Sequence, residues 1–512
     1  MTTNSQNRKK IMGLEELAER VARLKLEGQS VALCHGTFDL LHVGHIKHIE
    51  FAKETADHVV VTLTADDFVS KGPGRPAFNE RLRADQMAAL ADVSLVAINH
   101  AVTAVNVINA LQPNFYIKGS DYKNPSDDVT GNIGEEAAAV QKHGGKLIFS
   151  DAVTFSSSQL LNEKFEILSN ETKSFLGRIK RSIDFASVSS LLASLKDHKV
   201  LVLGDAIIDE YRYTKALGQS GKYNVACAKY ESAEKFAGGS LAVANHVASL
   251  VDEVTLITGL GSFSAEEEFI REKLCENISP QFHYFTNAPT IKKSRYLDDD
   301  GNRLFEVYDY DQSPVCERFN EEFCKWLTNN IDSFDLVIMP DFGNGLITAE
   351  MIEICTSKAQ KLAINTQVNS GNRGFHRINK YPRADYICLN ETELRLAASD
   401  SVADLNKIAR EISEKLEAKW LAVTRGSKGI FVHDAVTGED FSIPALSSKV
   451  VDRVGAGDAF LAFSAASMLQ HNQPYLATFI GAAAAALEVQ IVCNREPVSL
   501  GALTSYINTL LK

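Results

Sequence analysis

Two short stretches of the chain carry residue types whose spacing suits work on phosphates. The first is Gly36-Thr37-Phe38-Asp39-Leu40-Leu41-His42-Val43-Gly44-His45, which follows an apolar run and opens a helical pattern. Backbone N–H groups and the helix dipole at such a start receive phosphate, and histidines three residues apart could donate to the same group. A nucleotidyl transfer to an anionic nucleophile needs charge stabilised on the α-phosphate and on the departing pyrophosphate, by position and electrostatics rather than by a protein nucleophile. The plainer alternatives are a helix cap or a zinc site. Zinc-binding histidines on a helix usually stand four apart with a third ligand, and none is evident here.

The second stretch is Val451-Asp452-Arg453-Val454-Gly455-Ala456-Gly457-Asp458, placed before an apolar helix that runs through Met468. Small residues leave the first N–H groups open, as an anion hole for a transferring γ-phosphate requires. Asp458, just inside the turn, stands where a carboxylate would take the proton of an attacking hydroxyl. An ordinary aspartate helix cap is the alternative.

Both stretches need strands and helices to hold them. An amphipathic helix over Gly13 to Gly28 leads into a strand at Val31 to Leu33, and further strands are predicted at Val59 to Leu63, Val96 to Ile98, Phe115 to Lys118 and Lys146 to Phe149. Helices at His45 to Glu54 and Glu80 to Leu90 lie between them. A second alternating series starts at Lys199, with strands near Val254 to Thr258, Leu336 to Met339, Leu362 to Asn365, Tyr386 to Leu389 and Trp420 to Thr424. Such alternation predicts α/β units with parallel sheets covered on both faces. Residues of about 209–236 and 283–311, richer in Tyr, Thr and charge, are expected to form a small β lid. The expected division is an N-terminal tail and helix over 1–27, a first domain over 28–162, a helical linker over 163–198 and a second domain over 199–512.

Composition limits the partners. With 512 residues, 45% hydrophobic and 23% charged, the chain has material for more than one core. A formal net charge of −12 argues against a general nucleic-acid binder. No apolar run reaches the ~18 to 20 residues of a membrane span, and a polar start without an apolar stretch after it implies a cytoplasmic protein. The eight cysteines are scattered without a C-x-x-C pair, as reduced buried thiols.

The first stretch resembles the G-T-F-D-x-x-H-x-G-H motif of the cytidylyltransferase superfamily. Lys71-Gly72, Arg75-Pro76 and Arg83 match a basic loop and helix of its sugar branch, Lys118-Gly119-Ser120-Asp121-Tyr122 its K-G-x-D-Y element, and Phe155-Ser156-Ser157-Ser158 the start of its last helix. The resemblance implies a Rossmann-like domain in which Gly36, Thr37, Phe38, His42, Gly44 and His45 contact the nucleotide. It further implies that Lys71, Lys118, Ser156, Ser157 and Ser158 hold phosphates, with His42, His45 and Lys71 catalytic and Arg75 and Arg83 toward the sugar.

The second stretch resembles the D-x-x-G-A-G-D signature of the ribokinase, or PfkB, family, over nearly all of residues 199–512. That resemblance implies a ribokinase-like domain with Asp458 as catalytic base and Gly455, Ala456 and Gly457 as anion hole. Asp209, Gly238 and Gly239 would line the sugar site, and Thr424, Gly426 and Gly429 would lie along the nucleotide. Asn390 and Glu393 match an N-x-x-E motif that orders Mg²⁺ through water, although by themselves they read more often as a helix cap with solvated charge. Two departures fall near the sugar: Ala242 stands where relatives usually carry a sugar-contacting Asn, and Asn365-Thr366-Gln367 replaces a D-P-K-like element.

Together the halves resemble bifunctional sugar kinase/nucleotidylyltransferases of ADP-heptose synthesis, with the domain order reversed. The implied function is phosphorylation of a heptose-like sugar or sugar phosphate by ATP, and nucleotidyl transfer from ATP or CTP to a sugar 1-phosphate. Mg²⁺ would serve both steps, in supply of lipopolysaccharide or capsule, by a homo-oligomer. The alternatives are an active transferase whose kinase-like domain is a sugar sensor or oligomerisation module, and a polyol-phosphate cytidylyltransferase.

Overall fold

The structure, a computed structural model, describes residues 9–69, 75–119, 133–150, 169–310, 317–447, 449–469 and 473–511. The chain divides into two compact units, one of residues up to Lys173 together with those from Gly501 onward, the other Ser174–Leu500. The final helix, Leu500–Leu511, thus groups almost wholly with the first unit, whereas the expected second domain ran to residue 512. Among the described residues no helix is long and apolar enough to cross a membrane.

The first unit contains β1 (Val31–Gly36), β2 (His58–Thr64), β3 (Leu95–Asn99), β4 (Phe115–Gly119) and β5 (Lys146–Ser150). They form a parallel sheet in the order β3-β2-β1-β4-β5. Runs such as Val31-Ala32-Leu33-Cys34 are apolar at every position because both faces are covered. Ala32, Cys34, Val59 and Val61 meet Ile49, Ala52, Ala84 and Met87 on one face. Val31, Leu33 and Val60 meet Leu17, Val107, Ile108 and Val140 on the other. Strand order reverses between β1 and β4, so the ligand crevice lies beyond their carboxyl ends. Gly36 delivers the chain to that place.

The second unit contains β6 (Lys199–Leu203), β7 (Ala206–Gln219), β8 (Ala226–Gly239), β9 (Glu253–Phe263), β10 (Ile278–Pro289), β11 (Lys292–Leu297), β12 (Arg303–Asp309), β13 (Leu336–Asp341), β14 (Leu362–Thr366), β15 (Tyr386–Asn390), β16 (Trp420–Thr424), β17 (Ile430–Asp434) and β18 (Glu439–Ile443). Nine make one sheet, β10-β9-β6-β13-β14-β15-β16-β17-β18, parallel except for the last two pairings. A separate four-stranded sheet, β12-β11-β7-β8, is the small lid.

Residues 283–289, expected in the lid, instead extend the large sheet as part of β10, parallel to β9. Glycines explain the difference. A Cβ on Gly259 would lie 2.3 Å from the Phe285 ring, and one on Gly261 would lie 2.2 Å from the Pro289 backbone, so only glycines let β10 approach. Of the stretch read as a linker, residues 163–168 lie outside the described residues. Beyond them, helices Asn170–Ile179 and Phe185–Ser194 follow, and Phe175 packs 6.3 Å from Phe479 within the second unit.

In the large sheet the order reverses between β6 and β13, and these strands are pressed together where they end. A Cβ on Gly204 would stand 2.3 Å from the Pro340 carbonyl oxygen. Gly204→Ala is therefore expected to destabilise the second unit by about 3 kcal/mol through overpacking. Urea unfolding followed by the fluorescence of Trp326 and Trp420, both in that unit, measures it.

Candidate active sites

At the first crevice, β1 runs into Thr37, Phe38 and Asp39, all buried. The turn is held by Asp39, whose carboxylate accepts from the Ala77 N–H (2.7 Å), the Phe78 N–H (3.1 Å) and the Leu40 N–H (3.1 Å). His42 caps helix Val43–Thr55, its Nδ1 accepting from the Gly44 N–H at 3.1 Å. That bond fixes the tautomer with the proton on Nε2. Burial holds the ring below its ordinary pKa, hence neutral at pH 7. The His45 ring stacks on His42 at 3.9 Å and tilts against Phe38 at 5.4 Å. The two histidines of the motif are thus one stacked pair at a helix start, as their spacing suggests.

Two residues that sequence reasoning did not single out complete the surroundings. His48, one turn further on, bonds to Ser150 Oγ at 2.8 Å and is pushed down to about 4 by burial and by Lys118. Glu136 accepts from Lys118 Nζ (2.9 Å), the Tyr116 hydroxyl (2.9 Å) and the Ala104 N–H (3.1 Å). The Lys118 ammonium is therefore anchored to a carboxylate at the end of β4. Arg75 is buried and held down at about 10 by desolvation, against the pull of Asp39. Lys71, Ser156, Ser157 and Ser158 lie outside the described residues.

Arg83 requires a correction. It is 0% exposed, and its guanidinium donates to the carbonyls of Phe78 (2.9 Å), Thr37 (2.5 Å) and Thr64 (2.8 Å) and to Asp66 (2.6 Å). A cation so engaged cannot reach a sugar; it ties the Thr37 turn to the end of β2 and to the Phe78 loop.

The second crevice opens where β6 and β13 end. Asp205 follows β6 and accepts from the N–H groups of Phe342 (3.2 Å), Asn344 (3.4 Å) and Leu346 (3.4 Å), setting the loop after β13. Its carboxyl is pushed up to about 6 by burial and by Asp341. Asp341 in turn accepts from the Tyr381 hydroxyl at 2.6 Å and the Lys380 ammonium at 2.5 Å. Above them the lid supplies Asp209, ion-paired to Arg295, which also bonds Glu306 at 3.1 Å. Gly238 faces Asp209 so closely that a Cβ would lie 2.0 Å from its Oδ2, and Gly239 has a left-handed φ of 62°. The glycine pair is thus what lets β8 pass the carboxylate.

Helix Ala456–Ser467 begins at this crevice. Gly455 caps it at φ 92°, and a Cβ there would meet Asn494 Oδ1 at 2.1 Å, while nothing stands within 4 Å of one on Gly457. The helix start is therefore tight behind and open in front. Asp458 is half-buried in its first turn. Burial first, and then Asp209 and Glu393, push its carboxyl up to about 7, with Lys293 opposing.

The Asn390–Glu393 pair forms a reciprocal capping box: Asn390 Oδ1 accepts from the Glu393 N–H at 2.9 Å, and Glu393 Oε2 accepts from the Asn390 N–H at 2.8 Å. Its other oxygen accepts from the Val368 N–H at 3.1 Å, and burial lifts the carboxyl to about 7. Glu391 beside it bonds Arg425 at 3.0 Å, fixing the loop after Thr424. In that loop Gly426 (φ 56°) and Gly429 (φ 78°) are left-handed. Lys293 and Arg295 were missed in the sequence; their signal was the strand alternation of Lys293-Ser294-Arg295, two cations on one face.

A Rossmann-like unit with a histidine pair at its crevice, followed by a unit with a carboxylate crevice beneath a β lid, defines a chain with a cytidylyltransferase-like half and a ribokinase-like half. Residues 197–496 match the pfkB family of carbohydrate kinases, and the chain belongs to that family. Residues 33–161 match the cytidylyltransferase-like family, so the transferase-like half comes first. The chain is similar to the "Bifunctional protein HldE" of Methylobacillus flagellatus, 37% identical over 157 residues, which cover 30% of this chain and 31% of that one. It is also similar to that of Paramagnetospirillum magneticum, 39% identical over 151 residues, 29% of this chain and 30% of that one. The match thus spans less than a third of these relatives' length. Among solved structures, phosphofructokinase-2 from Escherichia coli in its tetrameric inhibited form is 14% identical and covers 62% of this chain and 100% of its own, at a TM-score of 0.49.

Because Arg83 satisfies three carbonyls and one carboxylate at zero exposure, Arg83→Met is expected to lower the stability of the first unit by about 3 kcal/mol. Hydrogen exchange of the Thr37 and Thr64 amides, compared between wild type and variant, should show protection lost at both.

Proposed function

We propose that this chain is a bifunctional enzyme of nucleotide-sugar synthesis, a carbohydrate kinase and a nucleotidylyltransferase in one polypeptide. The observation that carries the reading is Asp458, a half-buried residue in the first turn of a helix whose start is open at Gly457, with Asp209 and Glu393 acting on its carboxyl. In the kinase step Asp458 takes the proton of a sugar hydroxyl, whose oxygen bonds to the γ-phosphorus as the bond to the β,γ-bridging oxygen breaks and ADP leaves. The N–H groups at the start of that helix receive the charge developing on the transferred group. Asp209 and the glycine pair Gly238-Gly239 would orient the sugar, and the loop Thr424 to Gly429 the nucleotide.

In the transferase step an oxygen of a sugar 1-phosphate attacks the α-phosphorus of ATP or CTP and pyrophosphate leaves. His42, with its proton held on Nε2, and His45 stacked on it supply hydrogen bonds to the phosphates, with Lys118 at the end of the neighbouring strand. The favoured substrates are heptose-like sugar phosphates, the product an NDP-sugar for surface polysaccharide, and the assembly a homo-oligomer.

Both steps call for Mg²⁺ to offset triphosphate charge. Among the described residues no three His, Cys, Asp or Glu side chains form a group that could hold a metal ion, and both Glu393 oxygens accept backbone N–H bonds. This donor set fits an ion carried by the nucleotide phosphates, with Glu393 acting through water, better than a protein cage.

The reading is tested by screening ATP and CTP against heptose 1-phosphate, other sugar 1-phosphates and glycerol 3-phosphate for pyrophosphate release, and heptose 7-phosphate, fructose 6-phosphate and ribose for ADP release. Asp458→Asn is expected to lower kinase turnover at least about 100-fold and leave pyrophosphate release intact, and His42→Ala the reverse. Since a base must be ionised, wild-type kinase turnover should fall as pH drops through about 7, where the Asp458 carboxyl gains its proton. Release of neither product with any compound would sink the proposal.

A further inference from the structure

Lys293 stands out in the second unit as a buried cation without a partner among the described residues. It is 9% exposed on β11, in register with Asp209 of β7. Its ammonium makes no hydrogen bond or ion pair with any of them; it lies 5.6 Å from the Tyr308 ring centre and 5.8 Å from that of Phe342. Two residues on, Arg295 is ion-paired to both Asp209 and Glu306. An unpaired ammonium at this depth costs stability, and the lid strand would bury Met or Leu at lower cost.

What faces it gives the reason. The field of Lys293 falls on Asp209, Asp458 and Asp205. Asp458, on its helix, is faced by Asp209 from the lid and Glu393 from helix Glu391–Ala398, with Cys388 of β15 and Glu488 of helix Pro474–Glu488 further groups in its field. None of these is a cation. Lys293 is the cation among the groups that act on Asp458. In a poorly hydrated crevice a carboxylate beside other carboxylates keeps its proton, and a protonated carboxyl cannot act as a base.

We propose that Lys293 is the positioning residue that keeps the Asp458 carboxyl ionised inside the crevice, a role that rests on the kinase reading above. The two cations of β11 have separate roles. Arg295 neutralises Asp209 by contact, and Lys293, left unpaired, acts on the charge that must remain available for a proton.

The test compares the full chain as wild type, Lys293→Met and Lys293→Arg. Isotope-edited infrared spectra with carboxyl-labelled aspartate, referenced to Asp458→Asn, follow the protonated Asp458 carboxyl from about pH 5 to about pH 9 without turnover. ADP release from MgATP with heptose 7-phosphate is followed over the same range. In Lys293→Met the infrared midpoint should rise by about one pH unit or more. The acid limb of kcat should move with it, so that turnover at neutral pH falls about tenfold and recovers in alkali. Lys293→Arg should stay near wild type. An unchanged infrared midpoint in Lys293→Met overturns the proposal, whatever happens to the rate. If wild type releases no ADP with any sugar, the kinase reading fails, while the infrared titration still decides the role of Lys293. Should the Met variant not fold, Lys293→Gln, of similar bulk, gives the same readout.

Discussion

Asp209 and Asp458 reach one crevice from positions 249 residues apart in the chain, and Asp205, Asp341 and Glu393 stand around them. Holding so many carboxylates where water is scarce is the constraint on which the second unit is built. Each is answered differently. Asp205 binds three backbone N–H groups, Asp341 takes a lysine and a tyrosine, Asp209 takes an arginine, and Glu393 caps its own helix. Of these five, Asp458 is the one with neither a fixed donor nor a paired cation among the described residues.

The first unit meets the opposite constraint. The turn after β1 is rich in donors, and the difficulty is to hold those donors still. A fully buried cation answers it: Arg83 bonds to the ends of two strands and to a loop, and Asp39 draws the Ala77 and Phe78 N–H groups onto the same turn. A side chain that looked like a substrate ligand is instead the post on which the histidine pair is mounted.

Much of this was legible from the residues alone. Gly239 and Gly455 are left-handed and Gly238 leaves room for the Asp209 carboxylate, and positions that favour glycine leave a mark in a single sequence. The parallel strands β1 to β5, β6, β9 and β13 to β16 were legible because strands covered on both faces are apolar throughout, whereas the antiparallel β17 and β18 were not singled out. What escaped notice depends on pairing between distant segments. Lys293 gains its meaning from Asp209, 84 residues earlier, through the register of β11 on β7. Arg83 reads as one more cation on a polar helix until the chain closes over it. For β10, an exposed edge strand with mixed side chains resembles a lid strand, and only Gly259 and Gly261 on its neighbour mark where it docks.

The same reasoning gives the departures near the sugar a physical content. Asn365 replaces a charged position at the end of β14, and its amide donates to the Cys388 carbonyl at 2.7 Å, bridging to β15. A carboxylate could not donate there and would add charge to a crevice already crowded with it. Gln367 follows with its N–H on the Asp341 carbonyl, and Val368 with its N–H on Glu393. The neutral segment thus serves as a bridge from the Asp341 backbone to the Glu393 carboxyl. Ala242 is buried in a helix whose Asn245 bonds to the Lys273 carbonyl and the Cys275 N–H, so neither side chain offers a polar group to a sugar. On the lid side of the same crevice stand the two in-register polar residues Asp209 and Lys293.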